Sequence, residues 1–150
     1  NHCKRVAENS FGSEINFINE FDPSLPRLFA NKNLLIQIVL NLLKNATEAS
    51  QEKGKIKMKT SFNSNKITSF GKEDIPTPLP LQIEIIDFGI GIPRNLLSSI
   101  FDPFVSSKKE GKGLGLSIVA SGLEEMGAVI DVTSNAGLTN FCMNFPLKRI

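Results

Sequence analysis

Leu81-Gln82-Ile83-Glu84-Ile85-Ile86-Asp87-Phe88-Gly89-Ile90-Gly91-Ile92-Pro93 is an isoleucine-rich run, polar at Gln82 and Glu84, that ends on Asp87 and then breaks into glycine. The length and β-branched content of Leu81–Asp87 predict a strand. Gly89 and Gly91 permit a tight turn directly after it. The strand therefore delivers Asp87 to one end of a sheet, and the rest of the chain can be read outward from that point.

Lys55–Phe62 predicts a second strand, and the alternating Glu14-Ile15-Asn16-Phe17-Ile18-Asn19 a third, half-buried one. Residues His2 to Asn9 read as the end of a short helix, and Asp22-Pro23-Ser24-Leu25-Pro26 as a turn. A long helix is expected from about Lys32 to Ser50, with Leu35, Ile38, Leu42, Ala46 and Ala49 as its core stripe. Asn63 to Pro80 is rich in Ser, Asn, Lys and Pro and reads as a long exposed loop. Gly113 to Met126 predicts another helix with Gly127 as its stop, followed by a closing hairpin of Ala128–Ser134 and Thr139–Phe145. The expected fold is α/β, a two-layer sandwich of a mixed sheet with helices on one face, in a single domain over residues 1–150. No internal repeat is visible.

Composition excludes several classes of function. At 150 residues the chain is one domain, large enough to bury roughly 70% of the surface its unfolded form exposes. A net charge of +2, spread rather than striped, argues against nucleic acid or an anionic membrane as partner. Cys3 and Cys142 stand at opposite ends with no metal or redox spacing, which suits a reducing compartment, the cytoplasm. The longest apolar stretch, Leu34 to Leu43, is interrupted by Gln37 and Asn41, so no membrane contact is expected. No signal peptide opens the chain, and a start at Asn1 suggests a domain of a longer protein.

Three segments carry chemistry. On the long helix, at about 100° per residue, Gln37, Asn41, Lys44, Asn45 and Glu48 fall on one stripe opposite the core. That stripe reads equally as the wet face of an amphipathic helix. However, asparagine twice at this spacing is a mediocre choice for a helix. Its amide oxygen is a hard neutral ligand for Mg²⁺, which keeps most of its waters and takes few protein oxygens beside phosphates. Asp87 is the second piece. An ionised carboxylate only accepts hydrogen bonds, so it favours the amine of adenine over the carbonyl of guanine, and Gly89 and Gly91 let a flat base approach. An ordinary Asp-x-Gly turn is the plain alternative. Asp87-Phe88-Gly89 also spells a protein-kinase magnesium motif, but the His-Arg-Asp loop and strand lysine that accompany it are missing.

The third piece is Gly111-Lys112-Gly113-Leu114-Gly115-Leu116, a flexible backbone opening a helix whose N–H groups and dipole suit phosphate. It matches neither a dinucleotide fingerprint nor a Walker A loop, and a flexible hinge is its alternative. Before it, Ile100-Phe101-Asp102-Pro103-Phe104-Val105-Ser106-Ser107-Lys108-Lys109 reads as a lid, with two phenylalanine anchors and Lys108 reaching phosphates. Together the three segments predict a pocket for Mg²⁺ and ATP, with residues 94–112 as the lid.

In this order the motifs resemble the GHKL ATP-binding fold, in the version found in bacterial sensor histidine kinases, over nearly the whole chain. The resemblance implies that Asn41 and Asn45 are magnesium ligands of the N box, beside Lys44, and that Asp87 binds adenine. Gly89 and Gly91 would be the first glycine box, Phe101 and Phe104 the F box, and Lys108 the lid lysine. Gly111, Gly113, Leu114 and Gly115 would form the phosphate-binding second box. Gly137-Leu138-Thr139-Asn140-Phe141 resembles the final motif, whose Thr139 would touch adenine through water. Within the family, Phe-Asp-Pro-Ser-Leu-Pro before the N box and Phe-Asp-Pro-Phe-Val-Ser-Ser-Lys look most like the nitrogen-regulation kinases. Phe88 and Ile90 depart from the usual Asp-Asn-Gly pattern by removing a polar contact near the base, and Lys112 replaces a usual hydroxyl.

Hydrolytic and serine-kinase members of the fold carry a glutamate base four residues before the magnesium asparagine. Here Asn41 stands in that place and cannot take a proton. The expected reaction is therefore transfer of the γ-phosphate to histidine, which needs little activation at neutral pH, with Asn41 and Lys108 as the catalytic residues. His2 is the sole histidine and lacks the surroundings of a phosphoacceptor. The implied partners are a histidine-bearing dimerisation domain upstream in the same protein and a response regulator, the isolated domain being a monomer. A nucleotide-binding module of a degenerate kinase and a GHKL ATPase or serine kinase are the rival readings.

Overall fold

The computed structural model describes residues 2–10, 14–28, 30–50, 53–70, 75–102, 115–135 and 137–147. Its central feature is a five-stranded mixed sheet in the order β1-β2-β5-β7-β6. The strands are β1 (Glu14–Glu20), β2 (Lys53–Phe62), β5 (Leu81–Asp87), β6 (Val129–Asn135) and β7 (Leu138–Phe145). β3 (Ile67–Phe70) and β4 (Ile75–Pro78) form a separate two-stranded sheet. β1 and β2 are parallel, joined by the crossover helix α2 (Lys32–Ala49). β5 lies antiparallel to β2 and β7, and β7 antiparallel to β6. Helix α4 (Gly115–Glu125) carries the chain from β5 to β6, so β7 is inserted between two strands of like direction.

Helix α2 forms where periodicity and its cap agree. Asn31 Oδ1 accepts the Leu34 amide at 3.1 Å, satisfying one of the donors that the first turn leaves over. Its buried side is broader than the expected stripe. Ile38, Val39, Leu42, Leu43, Ala46 and Thr47 are buried, whereas Leu35 and Ala49 are half-buried. The Thr47 hydroxyl donates to Leu43 O, which makes its burial tolerable. Helix α4 closes on Gly127, at φ +66°, with Gly127 N bonded to Glu124 O and Ala128 N to Leu123 O. This is the left-handed Schellman stop that the glycine predicts. Gly122 lets α4 lie close on α2, since a Cβ there would meet Ile38 Cδ1 at 2.9 Å.

The core lies between the helices and one face of the sheet. Alternate residues Phe17, Ile56, Met58, Ile85, Phe141 and Met143 of four strands point into it, with Ala7 of α1 (His2–Ser10). The described helices are thus on one face, as the sequence predicts. On the other face a polar ladder crosses three strands: Ser61 Oγ donates to Gln82 Oε1, Gln82 Nε2 to Asn144 Oδ1, and Asn144 Nδ2 to Cys142 Sγ.

Within the expected loop over 63–80, β3 and β4 instead pair as a β-arm. Asn63 N bonds to Pro80 O and Leu79 N to Lys66 O, carrying the β2–β5 ladder into β3–β4. Amides 75, 77 and 79 therefore face β3, while Pro76 and Pro78 occupy positions whose missing N–H would have pointed outward. Proline at such outward positions costs no ladder bond and leaves an edge that resists further pairing. Lys66 Nζ reaches Asp131 Oδ2 on β6 at 2.6 Å and ties the arm to the sheet. Among the described residues, no helix is long and apolar enough to cross a membrane.

Candidate functional site

Asp87 closes the middle strand, and its register neighbours are Ile56 on β2 and Thr139 on β7. Asp87 and Thr139 are each 2% exposed. Burial pushes the Asp87 carboxyl above its ordinary range, opposed by the Gly89 amide, which donates to Oδ1 at 3.0 Å. A buried acceptor satisfied by one backbone amide retains lone pairs for a donor from outside.

The loop after Asp87 is fastened on both sides. Ile90 N bonds to Ala49 O at the end of α2, at 3.1 Å. A Cβ on Gly89 would collide with that same carbonyl, and one on Gly91 (φ +79°) would stand 2.5 Å from Asn135 O. Both glycines are thus required by the protein's own packing, apart from any room they leave for a base. The contact sets the site's layout. It pins Asp87's loop to the C-terminal end of α2, and Asn45 and Asn41 follow back along that helix by about 6 and 12 Å. Both asparagines are half-buried, while Lys44, Gln37 and Glu48 are exposed, so the polar stripe expected on α2 is present.

Phe88, next in the chain, has a contact of its own. Its ring, 39% exposed, lies under Lys55 of β2, with Nζ 4.5 Å from the ring centroid. Phe101 packs on the core and meets Phe141 edge-on, at 6.4 Å and 85°. It anchors the described part of the expected lid, which begins with the short helix α3 (Arg94–Leu97) and runs in turns to Asp102. Phe104, Lys108, Gly111, Gly113 and Leu114 lie outside the described residues. Gly115 is the first described residue of α4, the expected start at Gly113 lying outside the described residues, and a Cβ on Gly115 would meet nothing within 4 Å.

One residue escaped the sequence reading. Ser134 Oγ accepts the Ile92 amide at 2.7 Å and lies 2.7 Å from Thr139 Oγ1. Ser134 and Thr139 are register partners in the β6–β7 hairpin, a relation visible only once the turn at Gly137 is placed.

No group of three or more His, Cys, Asp or Glu that could hold a metal occurs among the described residues. Asn41 and Asn45 on α2 carry amide oxygens, which are hard neutral donors. That set fits Mg²⁺ shared with phosphates and waters, and not a tetrahedral Zn²⁺ site.

The sheet order, the crossover helix with its asparagines and the buried aspartate define a class. The chain belongs to the histidine kinase-, DNA gyrase B- and HSP90-like ATPase family, whose model matches residues 30–149. It is similar to a sensory histidine kinase/phosphatase NtrB of Azospirillum brasilense, at 40% identity over 147 residues, 97% of this chain and 37% of that protein. The chain therefore spans well under half the length of the curated relatives it matches. Among solved structures it resembles the nucleotide-free catalytic domain of the histidine kinase ThkA, with a TM-score of 0.74 and 27% identity over 97% of this chain and 90% of that one. It also resembles full-length ShkA in complex with AMPPNP, at a TM-score of 0.74 and 25% identity over 96% of this chain and 29% of that one. The fold is that of histidine kinase catalytic domains.

Proposed function

We propose that this chain binds Mg²⁺-ATP and donates the γ-phosphate to a histidine on a separate dimerisation domain, for onward transfer to a response regulator. By its similarity to NtrB proteins we assign the pathway to nitrogen regulation, and the two widely spaced cysteines suit the cytoplasm. The observation that carries the reading is Asp87. It is a buried carboxylate at the end of the middle strand, beside Thr139 and pinned by Gly89 and Ile90 to the helix that bears Asn41 and Asn45.

In this reading Asp87 accepts the adenine amine, and Thr139 meets the base beside it. Asn45 and Asn41 hold Mg²⁺ along α2, with Lys44 adding a cation, and the metal when bound neutralises charge on the phosphates. Phe101 fixes the root of the lid, while Phe104, Lys108, Gly111, Gly113, Leu114 and Gly115 close over the phosphates. With Asn41 where a hydrolase has its base, the residues position and neutralise rather than abstract a proton, which suits an imidazole acceptor.

Calorimetry tests this. Wild type should bind ATP more tightly with Mg²⁺ than without it, and Asn45→Ala should abolish that difference while leaving metal-free ADP binding intact. An Asn45→Ala chain that loses ADP and ATP affinity alike, with or without Mg²⁺, would make the asparagine stripe structural.

A further inference from the structure

The Ser134 hydroxyl stands between the adenine-side threonine and the root of the lid. Ile92, whose amide it accepts at 2.7 Å, is two residues before α3. Thr139 Oγ1 lies 2.7 Å away on the other side. An amide can only donate, so one Ser134 lone pair is committed to Ile92. A hydroxyl that accepts a hydrogen bond becomes a better donor. The 2.7 Å contact with Thr139 Oγ1 allows either hydroxyl to donate, and the amide already held by Ser134 favours Ser134 as the donor.

We propose that Ser134 is a specificity-determining positioning residue, which donates to Thr139 and so fixes the Thr139 hydroxyl as a donor toward the base. The proposal rests on the adenine-nucleotide reading above and goes beyond it. With Ser134 donating, the chain runs Ile92 N–H to Ser134 Oγ–H to Thr139 Oγ1–H, and the last proton is aimed at the ligand, directly or through one water. The pocket then offers an acceptor, Asp87, beside a donor, Thr139. Adenine presents the complement, an amine donor beside a ring-nitrogen acceptor. Guanine presents a carbonyl acceptor beside a ring N–H donor and is mismatched twice. A Thr139 hydroxyl free to rotate would accept from guanine as readily as it donates to adenine, so Asp87 alone supplies only half of the discrimination.

The test is calorimetry of Mg²⁺-ADP and Mg²⁺-GDP on the wild-type chain, Ser134→Ala, Ser134→Thr, Thr139→Val and the Ser134→Ala/Thr139→Val double variant, with hydrogen exchange at the Ile92 amide. Ser134→Ala should weaken ADP by about five- to tenfold, narrow the ADP-to-GDP ratio and speed Ile92 exchange. Ser134→Thr, which keeps the hydroxyl, should restore all three. In the Thr139→Val background, Ser134→Ala should cost no further ADP affinity. An unchanged ADP-to-GDP ratio in Ser134→Ala, or a full additional loss in the double variant, overturns the proposal while leaving the nucleotide site standing. A wild-type chain that binds no ADP overturns the functional reading, and this proposal with it. Should Ser134→Ala lose its fold by circular dichroism, Ser134→Cys fills the same space with a weak hydrogen-bonding group and carries the same expectations.

Discussion

Asp87 and Thr139 stand directly opposite each other on β5 and β7, and both point toward the helix layer with Ile85 and Phe141. The alternation that buries the apolar residues of the two strands also buries this polar pair, two positions further along. A one-residue slip would turn both to the outer face along with the core. The core thus holds this polar pair in register.

Burial of Asp87 has a cost that a variant can expose. Its carboxyl is raised above 3.8, chiefly by desolvation, with the Gly89 amide opposing. Between 3.8 and that raised value the folded chain binds more protons than the unfolded one. Stability therefore falls as pH rises through the window, and the cost is fully present above it. Asp87→Asn removes the charge and keeps an oxygen for Gly89. It should be more stable to urea than wild type at neutral pH, with the gain vanishing below 3.8. Its Mg²⁺-ADP affinity should fall by about 2 kcal/mol, with the preference over GDP narrowed. Equal ADP affinity in variant and wild type would remove Asp87 from the base contact.

Two glycines give opposite expectations. Gly89→Ala drives a Cβ into the Ala49 carbonyl, which is backbone and cannot swing aside. A loss of about 1–3 kcal/mol in chemical unfolding is expected. Gly115→Ala places its Cβ in open space at the start of α4. It should be neutral or stabilise by up to about 1 kcal/mol, through a less flexible unfolded chain. If the two variants unfold at the same urea concentration, packing is not what requires glycine at position 89.

Local pattern made most of the fold legible. Leu81–Asp87 forms the strand its isoleucine-rich run predicts, and α2 ends one residue before the predicted Ser50, because periodicity, cap and core agree there. The arm was hidden because Pro76 and Pro78 read as loop residues until Leu79 N on Lys66 O sets the phase of the ladder. Asn41, Asn45 and Asp87 stood out by residue type and spacing, and Thr139 by its place in a motif resembling the family's last one. The reasons for Gly89 and Gly91 did not, because Ala49 and Asn135 reach them from distant parts of the chain. Ser134 was invisible for the same reason, its role depending on a register and not on a motif.

Cys142 should be an inert thiol. Burial, with Glu84 and Asp131 close by, pushes it up to about 11 from 9.0, against a hydrogen bond from Asn144. Only the thiolate reacts, so iodoacetamide at neutral pH should modify Cys142 far more slowly than an ordinary exposed thiol. Glu84→Gln should bring its titration down and speed its labelling. In the window between 9.0 and about 11 the folded chain binds the extra proton, so this thiol lowers stability as pH rises there. Rapid labelling of Cys142 in the folded chain at neutral pH would contradict the upward push on its thiol.

The last expectation concerns the reaction. Asn41 is half-buried on α2, and an amide cannot activate water as a carboxylate does. His2 is in α1, whose Ala7 packs into the core, while the polar stripe of α2 that bears Asn41 and Asn45 is turned away from that core. Alone, the chain should neither hydrolyse ATP appreciably nor label itself. Mixed with a separately made dimerisation domain bearing a phosphoacceptor histidine, it should transfer label to that domain. The transfer should be slow, because two untethered proteins must meet where a linked pair has a high effective concentration. Asn41→Glu tests the base argument from the other side and should raise hydrolysis over transfer. Acid-labile, base-stable label appearing on this chain by itself would place the acceptor at His2 and overturn the assignment.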